Sequence, residues 1–171
     1  MGFFDKLFGG KAKDENTSKF TNQSKTVLTP LQGKVLAQAD IPDETFAQGI
    51  LGPGCGIEPT GDTVYAPFDG TVTQIATTLH AVGVTSNDGI ELLIHVGMDT
   101  VDMNGQGFTA LVKEGQKVTA GTPLLKVDLA AVRAAGHPTA TAIIVTNGDD
   151  MGELKMLAEG DVLAGTPLFK V

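Results

Sequence analysis

A chain of 171 residues with 42% hydrophobic content suits one domain with a proper core. Its 20 Asp and Glu against 12 Lys and Arg leave a net charge of -8 with no basic stripe interleaved with aromatics, which excludes nucleic acid and favours a basic protein surface as partner. The single cysteine, Cys55, forms no internal disulfide, and no apolar run approaches the roughly 20 residues that span a bilayer, so a cytoplasmic location is expected.

Residues 1–10, MGFFDKLFGG, carry Phe3, Phe4, Leu7 and Phe8 at helical spacing, with Lys6, Lys11 and Lys13 nearby. Two readings stay open: a short amphipathic helix in peripheral contact with a membrane surface, or phenylalanines docking on the domain. Lys6 stands where a myristoylation pattern requires Ser or Thr. Residues 11–25 are polar and nearly free of core residues, so 1–25 is expected to be a flexible tail and 26–171 the domain.

From residue 26 onward, short β-branched segments alternate with Gly, Pro, Asn and Asp, the pattern of an antiparallel β-sandwich or barrel. Strands are expected at residues 34–37, 63–66, 70–76, 83–86, 90–96, 108–112, 123–127, 141–145 and 167–171. Only DLAAVRAAGHP predicts a firm helix, with Asp128 as its cap, Gly136 as its stop and Pro138 beyond. A single helical turn fits residues 43–47. Cys55, within GPGCG, reads as a small packed residue.

The sequence also repeats itself. TPLQGKV (29–35) recurs as APFDGTV (66–72), and EGQKVTAGTPLLKV (114–127) recurs one residue shorter as EGDVLAGTPLFKV (159–171). Each copy reads as strand, tight turn and strand, so a duplicated β unit with a shared core is expected.

In IELLIHVGMDTV (90–101), Ile90, Leu92, Ile94 and Val96 share one face and Glu91, Leu93 and His95 the other, which turns His95 away from the core. His80 lies fifteen residues earlier, and a hairpin through residues 86–89 would bring the two imidazoles side by side. His137, in a Gly-His-Pro loop, reads as a solvated residue. Two histidines without a third ligand do not make an intrinsic metal site. They suit a phosphoryl group instead: one ring nitrogen accepts it while the neighbour's N–H offsets charge on its oxygens. Leu93 beside His95 suggests a docking patch, although single surface leucines are common. Asp43 and Asp99 either form an acidic rim for a partner's arginines or serve ordinary turn chemistry.

The segments APFDGTV, TTLHAVGV, DGIELLIHVGMDTVDMNGQGF, EGQKVTAGTPLLKVDL and AGTPLFKV, together with MGFFDKLFG, resemble the glucose-type enzyme IIA of the bacterial phosphoenolpyruvate-dependent sugar phosphotransferase system. The resemblance implies an antiparallel β-sandwich with a duplicated motif and a phosphotransferase component that needs no cofactor. It implies that His95 accepts a phosphoryl group on Nε2 from phospho-HPr and passes it to a cysteine of a sugar-specific IIB domain or IIBC permease. It makes His80 the group that hydrogen-bonds the phosphoryl and Thr78 the residue that orients His80. Asp43 and Asp99 would meet partner arginines, with Phe46, Leu51, Leu93 and Val101 as an apolar rim. Ala76 stands where several members carry phenylalanine, and Glu44 and Thr45 where some carry valine, which makes the rim less apolar.

Other readings are weaker on the residues. A lysostaphin-type zinc peptidase needs His-x-His, which is absent. A biotin or lipoyl carrier would present Lys155 at a hairpin tip, in a chain about half this length. A regulator within the same family would bind transporters or metabolic enzymes when unphosphorylated, with a partner carboxylate completing a zinc site on His80 and His95.

Overall fold

The computed structural model describes residues 17–171, so both readings of residues 1–10, amphipathic helix or docked phenylalanines, lie outside the described residues. The strands are β1 (Thr26–Leu28), β2 (Gly33–Leu36), β3 (Gly54–Pro59), β4 (Thr63–Tyr65), β5 (Gly70–Ile75), β6 (Ala81–Ser86), β7 (Glu91–His95), β8 (Phe108–Ala110), β9 (Lys117–Val118), β10 (Pro123–Val127), β11 (Thr141–Val145), β12 (Lys155–Met156), β13 (Asp161–Val162) and β14 (Pro167–Lys170). Two short helices, α1 (Glu44–Ala47) and α2 (Leu129–Ala134), complete the described elements apart from single 3-10 turns. The main sheet runs β9-β5-β6-β7-β11-β3-β2-β13, and two three-stranded sheets, β4-β10-β8 and β12-β14-β1, complete the sandwich. All these pairings are antiparallel.

The sequence repeats are structural repeats. β9 pairs with β5 through Lys117 opposite Thr71, and β13 pairs with β2 through Asp161 opposite Lys34. β10 on β4 and β14 on β1 break register at matching points, just after Pro123 and Pro167. The two copies also exchange hydrogen bonds: Tyr65 N–H donates to the Pro30 carbonyl at 2.7 Å and Leu28 N–H to the Pro67 carbonyl at 3.0 Å. Each half therefore closes the other, as expected of a hairpin unit too small to bury its own apolar face.

Residues 17–25, read from sequence as tether, lie against this duplicated framework. Phe20 sits between the two AGTP turns, where a Cβ added to Gly121 or Gly165 would meet its Cδ1 at 3.1 Å, and its ring lies 5.4 Å from that of Tyr65. Ser18 N–H donates to the Ala164 carbonyl at 2.7 Å, and Lys25 N–H donates to Asp88 Oδ2 at 2.7 Å. One aromatic among polar residues was enough to anchor the segment, because paired glycines leave a slot of its size.

The core lies between the main sheet and the smaller ones, built from Val82, Val84, Leu92, Ile94, Ile143, Val145, Cys55, Ile57, Phe68 and Phe169 among others. Burial pushes the Cys55 thiol up to about 12, so it packs as an inert small hydrophobe. β11 is buried at every position because both its faces are covered. Its second face carries a smaller cluster, Ile41, Phe46, Met98, Ala142 and Ile144, with Leu93 and Ala47 packed against it. The segment from residue 38 to 51 forms the lid of this cluster. Gln38 holds it, donating to the carbonyls of Phe46 at 3.0 Å and Gly52 at 2.8 Å and accepting from Gly54 N–H at 3.2 Å.

The expected strands leave out β3, which begins within GPGCG. Gly54 and Gly56 are strand residues there because the neighbouring chain is too close for side chains: a Cβ on Gly54 would lie 2.0 Å from the Ile143 carbonyl oxygen. β1 and the two-residue strand β12 also lie beyond the pattern, being too short to show alternation, whereas β9 and β13 are the first strands of the repeats at 114–127 and 159–171. The strand after His80 begins at Ala81 rather than Gly83. Both expected caps are made: Asp43 Oδ1 accepts from Phe46 N–H at 3.3 Å and Asp128 Oδ1 from Ala131 N–H at 3.0 Å.

Candidate functional site

The β6–β7 hairpin is closed by Ser86, whose N–H donates to the Ile90 carbonyl while its Oγ accepts from Ile90 N–H, both at 2.8 Å. That closure sets a register in which His95 stands opposite Ala81 on one side and Ala142 on the other. Cross-strand partners share a face, so the His95 ring rises between two methyl groups.

His80 precedes Ala81, and strict alternation would send it through the sheet to the other side. It does not go there, because Leu79 takes a left-handed conformation (φ 63) and turns the chain just before the strand. The imidazoles consequently meet edge to face, with centroids 4.8 Å apart and planes at 82°. His80 is 7% exposed and His95 half-buried. On the other side of His95 lies Phe46, its ring centroid 4.9 Å away.

Each ring is oriented through Nδ1. The His95 Nδ1 donates to the Gly97 carbonyl at 2.9 Å; a carbonyl only accepts, so in the neutral ring Nε2 keeps its lone pair. His80 Nδ1 is hydrogen-bonded to the Thr78 hydroxyl at 2.7 Å. The loop that presents the Gly97 carbonyl is braced from two directions. Thr100, fully buried, donates from Oγ1 to the Val96 carbonyl at 2.6 Å, and Met98 N–H donates to the Pro138 carbonyl at 3.1 Å. Gly97 itself is left-handed (φ 74), with no room for a side chain: a Cβ would lie 2.5 Å from Thr100 Cγ2.

Burial holds both imidazoles below the usual histidine value, and for His95 the neighbouring His80 adds to the effect. The Gly97 carbonyl and the Asp43 carboxylate pull His95 the other way without reversing the sign. Both rings are therefore neutral near pH 7, and the free Nε2 of His95 is a nucleophile that needs no prior deprotonation.

Around this pair the expected rim residues divide. Leu51 and Val101 are exposed, at 41% and 50%, whereas Leu93 is half-buried and Phe46 is 6% exposed, because both pack into the cluster under α1. Phe46 is thus a wall of the site rather than its rim. Ile50, 66% exposed, was missed by the sequence reading although it lies in the same DETFAQGIL segment. Asp43 both caps α1 and acts electrostatically on His95, while Asp99 is exposed, left-handed and makes no capping bond. His137 is half-buried after α2, its N–H donating to the Val132 carbonyl. Lys155 lies in β12 opposite Lys170 rather than at a hairpin tip. Among the described residues no three His, Cys, Asp or Glu side chains are grouped to hold a metal.

Residues 25–151 match the family model for the phosphoenolpyruvate-dependent sugar phosphotransferase system, EIIA 1. The chain belongs to this family. This EIIA-family protein is 43% identical over 164 residues to a glucose-specific EIIA component of Halalkalibacterium halodurans, covering 95% of this chain and 93% of that one. It is 40% identical over 157 residues to a glucose-specific EIICBA component of Streptococcus pneumoniae, of whose length it spans only 22%. The glucose permease IIA from Mycoplasma capricolum has the same fold, with a TM-score of 0.77 at 31% identity, over 89% of this chain and 98% of that one. The EIIA-family protein is accordingly a phosphotransferase component, acting in phosphoryl transfer of the sugar phosphotransferase system. No helix among the described residues is long and apolar enough to cross a membrane.

Proposed function

We propose that His95 is the phosphoryl carrier, taking the group from phospho-HPr and delivering it to a cysteine of a sugar-specific IIB domain in the cytoplasm. The Nε2–P bond forms as the bond to HPr breaks, and the reverse exchange at the cysteine frees the ring again. The observation that carries this reading is the His95 Nδ1 bond to the Gly97 carbonyl, which leaves Nε2 as the free nucleophile beside a second imidazole. His80, with Nδ1 held against the Thr78 hydroxyl, offers Nε2–H to the phosphoryl oxygens, where a donor fixed in advance is worth most. Phosphoryl transfer asks mainly for positioning and charge stabilisation, which two oriented rings supply without a cofactor.

The exposed Ile50, Leu51 and Val101, with Asp43 and Asp99 beside them, form the surface on which HPr and IIB dock in turn, acidic residues meeting partner arginines. Fusion of EIIA to EIIB and EIIC domains in relatives named EIICBA and EIIBCA supports a IIB or IIBC partner. The test is incubation with phosphoenolpyruvate, enzyme I and HPr, followed by phosphosite mapping that preserves acid-labile phosphohistidine. One phosphate on His95 is expected, absent from His95→Ala. His80→Gln should still be labelled but pass the group on slowly. Normal labelling of His95→Ala, or phosphate mapped to His80, would overturn the assignment.

A further inference from the structure

Asn-Gly occurs twice in the chain, at Asn104-Gly105 and Asn147-Gly148. Asparagine is chemically labile, and a following glycine, having no Cβ, lets its backbone nitrogen approach the side-chain amide. The two pairs sit in different surroundings. Asn147 is half-buried and used at both ends: Oδ1 accepts from Glu91 N–H at 2.9 Å and Nδ2 donates to the Gly89 carbonyl at 2.8 Å. Gly148 is packed on Pro53, whose Cδ would lie 2.5 Å from an added Cβ. Asn104 is exposed, and its Nδ2 reaches only the Asp102 carbonyl of its own turn, at 3.4 Å. Among the described residues no hydrogen bond engages its Oδ1 or the Gly105 N–H. The backbone is left-handed at Asn104, Gly105 and Gly107, outside any strand ladder.

We infer that Asn104 is a site of spontaneous deamidation through a cyclic imide, and that its ties to the start of β7 protect Asn147 from the same reaction. The Gly105 nitrogen bonds to Asn104 Cγ, the Cγ–Nδ2 bond breaks, and ammonia leaves with the proton of the attacking amide. Water then opens the ring. Opening at Cγ gives aspartate; opening at the main-chain carbonyl gives isoaspartate, with the chain running through the former side chain. Either product adds one negative charge, and isoaspartate also lengthens the backbone by one carbon.

The change would fall next to the histidine pair. A Cβ on Gly105 would lie 3.9 Å from both the Thr78 carbonyl oxygen and Leu79 Cδ1, so the altered turn rests against the residues that orient His80. Isoaspartate at 104 would also make the chain a substrate for enzymes of the isoaspartyl methyltransferase class, which act on the exposed α-carboxylate.

The full chain, held at mildly alkaline pH and physiological temperature, is sampled over time by peptide mapping and by methyl transfer from a protein isoaspartyl methyltransferase. Asn104 should convert first, with Asn147 slower by about thirty-fold, equivalent to roughly 2 kcal/mol, the contribution of two side-chain hydrogen bonds. Asn104→Gln should remove the methyl-accepting species. The deamidated protein, separated from the parent by its added charge, should show a displaced His80 ring resonance. An intact Asn104, or Asn147 converting as fast, would overturn the inference. An unmoved His80 resonance would overturn its link to the site.

Discussion

The main-chain carbonyl of His80 accepts a hydrogen bond from Val96 N–H at 2.8 Å, so the two histidines are joined through the backbone as well as through their rings. A sheet bond fixes the separation, and a side chain alone could not hold it as closely. The chemistry of the pair therefore depends on a few backbone positions around it.

Both imidazoles lie below the usual histidine value, about 6.5 in a free chain, chiefly through burial. The unfolded chain then binds more protons than the folded one as pH falls below 6.5, so stability contributed by neutral rings is present above that value. It declines as pH drops toward the folded values and levels off beneath them. Urea unfolding at stepped pH should show a falling midpoint across this window, and His80→Gln should flatten the slope. Ring proton resonances followed by NMR should titrate below 6.5 for both histidines.

Thr78→Val keeps the shape of the side chain and removes the hydroxyl bonded to His80 Nδ1 at 2.7 Å. One hydrogen bond is worth about 1 kcal/mol, so stability should fall only slightly. Phosphorylation by phospho-HPr should persist while transfer to IIB slows, and Thr78→Ser should restore it. Equal transfer rates in Thr78→Val and the parent would show that the hydroxyl does not orient the ring.

Gly97→Ala tests the acceptor for His95. A Cβ at this position would press on Thr100 Cγ2 at 2.5 Å and the Pro138 oxygen at 2.9 Å while φ stays at 74. Destabilisation of about 2 kcal/mol is expected from the left-handed backbone and its crowding. The carbonyl must shift, releasing His95 Nδ1, so labelling should drop far more than the folded fraction does. Thr100→Val, which removes the buried 2.6 Å bond to Val96 while leaving Gly97 in place, should give a milder version of the same loss.

Much of this site was legible in the chain because it rests on local rules. Period-two alternation in residues 90–96 turned His95 outward, Ser86 to Gly89 marked the hairpin, and the repeated GTPL and EG turns marked the two halves of the sandwich. The rest depended on contacts distant in sequence. His80 shares the face only because Leu79 bends the strand entry, which no pattern of residue types announces for a leucine. β3 was hidden because its glycines, needed for close approach to β11, carry the same signal as a loop. The Gly97 acceptor is a backbone carbonyl, and Phe46 became a wall because Gln38 ties its segment down over the sheet.

Phe46 separates a packing role from an electrostatic one. It is 6% exposed, belongs to the cluster with Ile41, Met98, Ala142 and Ile144, and lies 4.9 Å from the His95 ring. Phe46→Ala should destabilise the protein by about 3 kcal/mol, the low end for such truncations, because the cluster is small and close to solvent. Water entering the vacated space would relieve the burial that lowers His95, so its titration should move up toward that of a free histidine. Phe46→Leu should recover most of the stability and keep His95 low. NMR titration of His95 in the two variants, at a temperature where both are folded, decides the matter: an unchanged value in Phe46→Ala would mean that the sheet and His80, rather than the phenylalanine, keep this ring neutral.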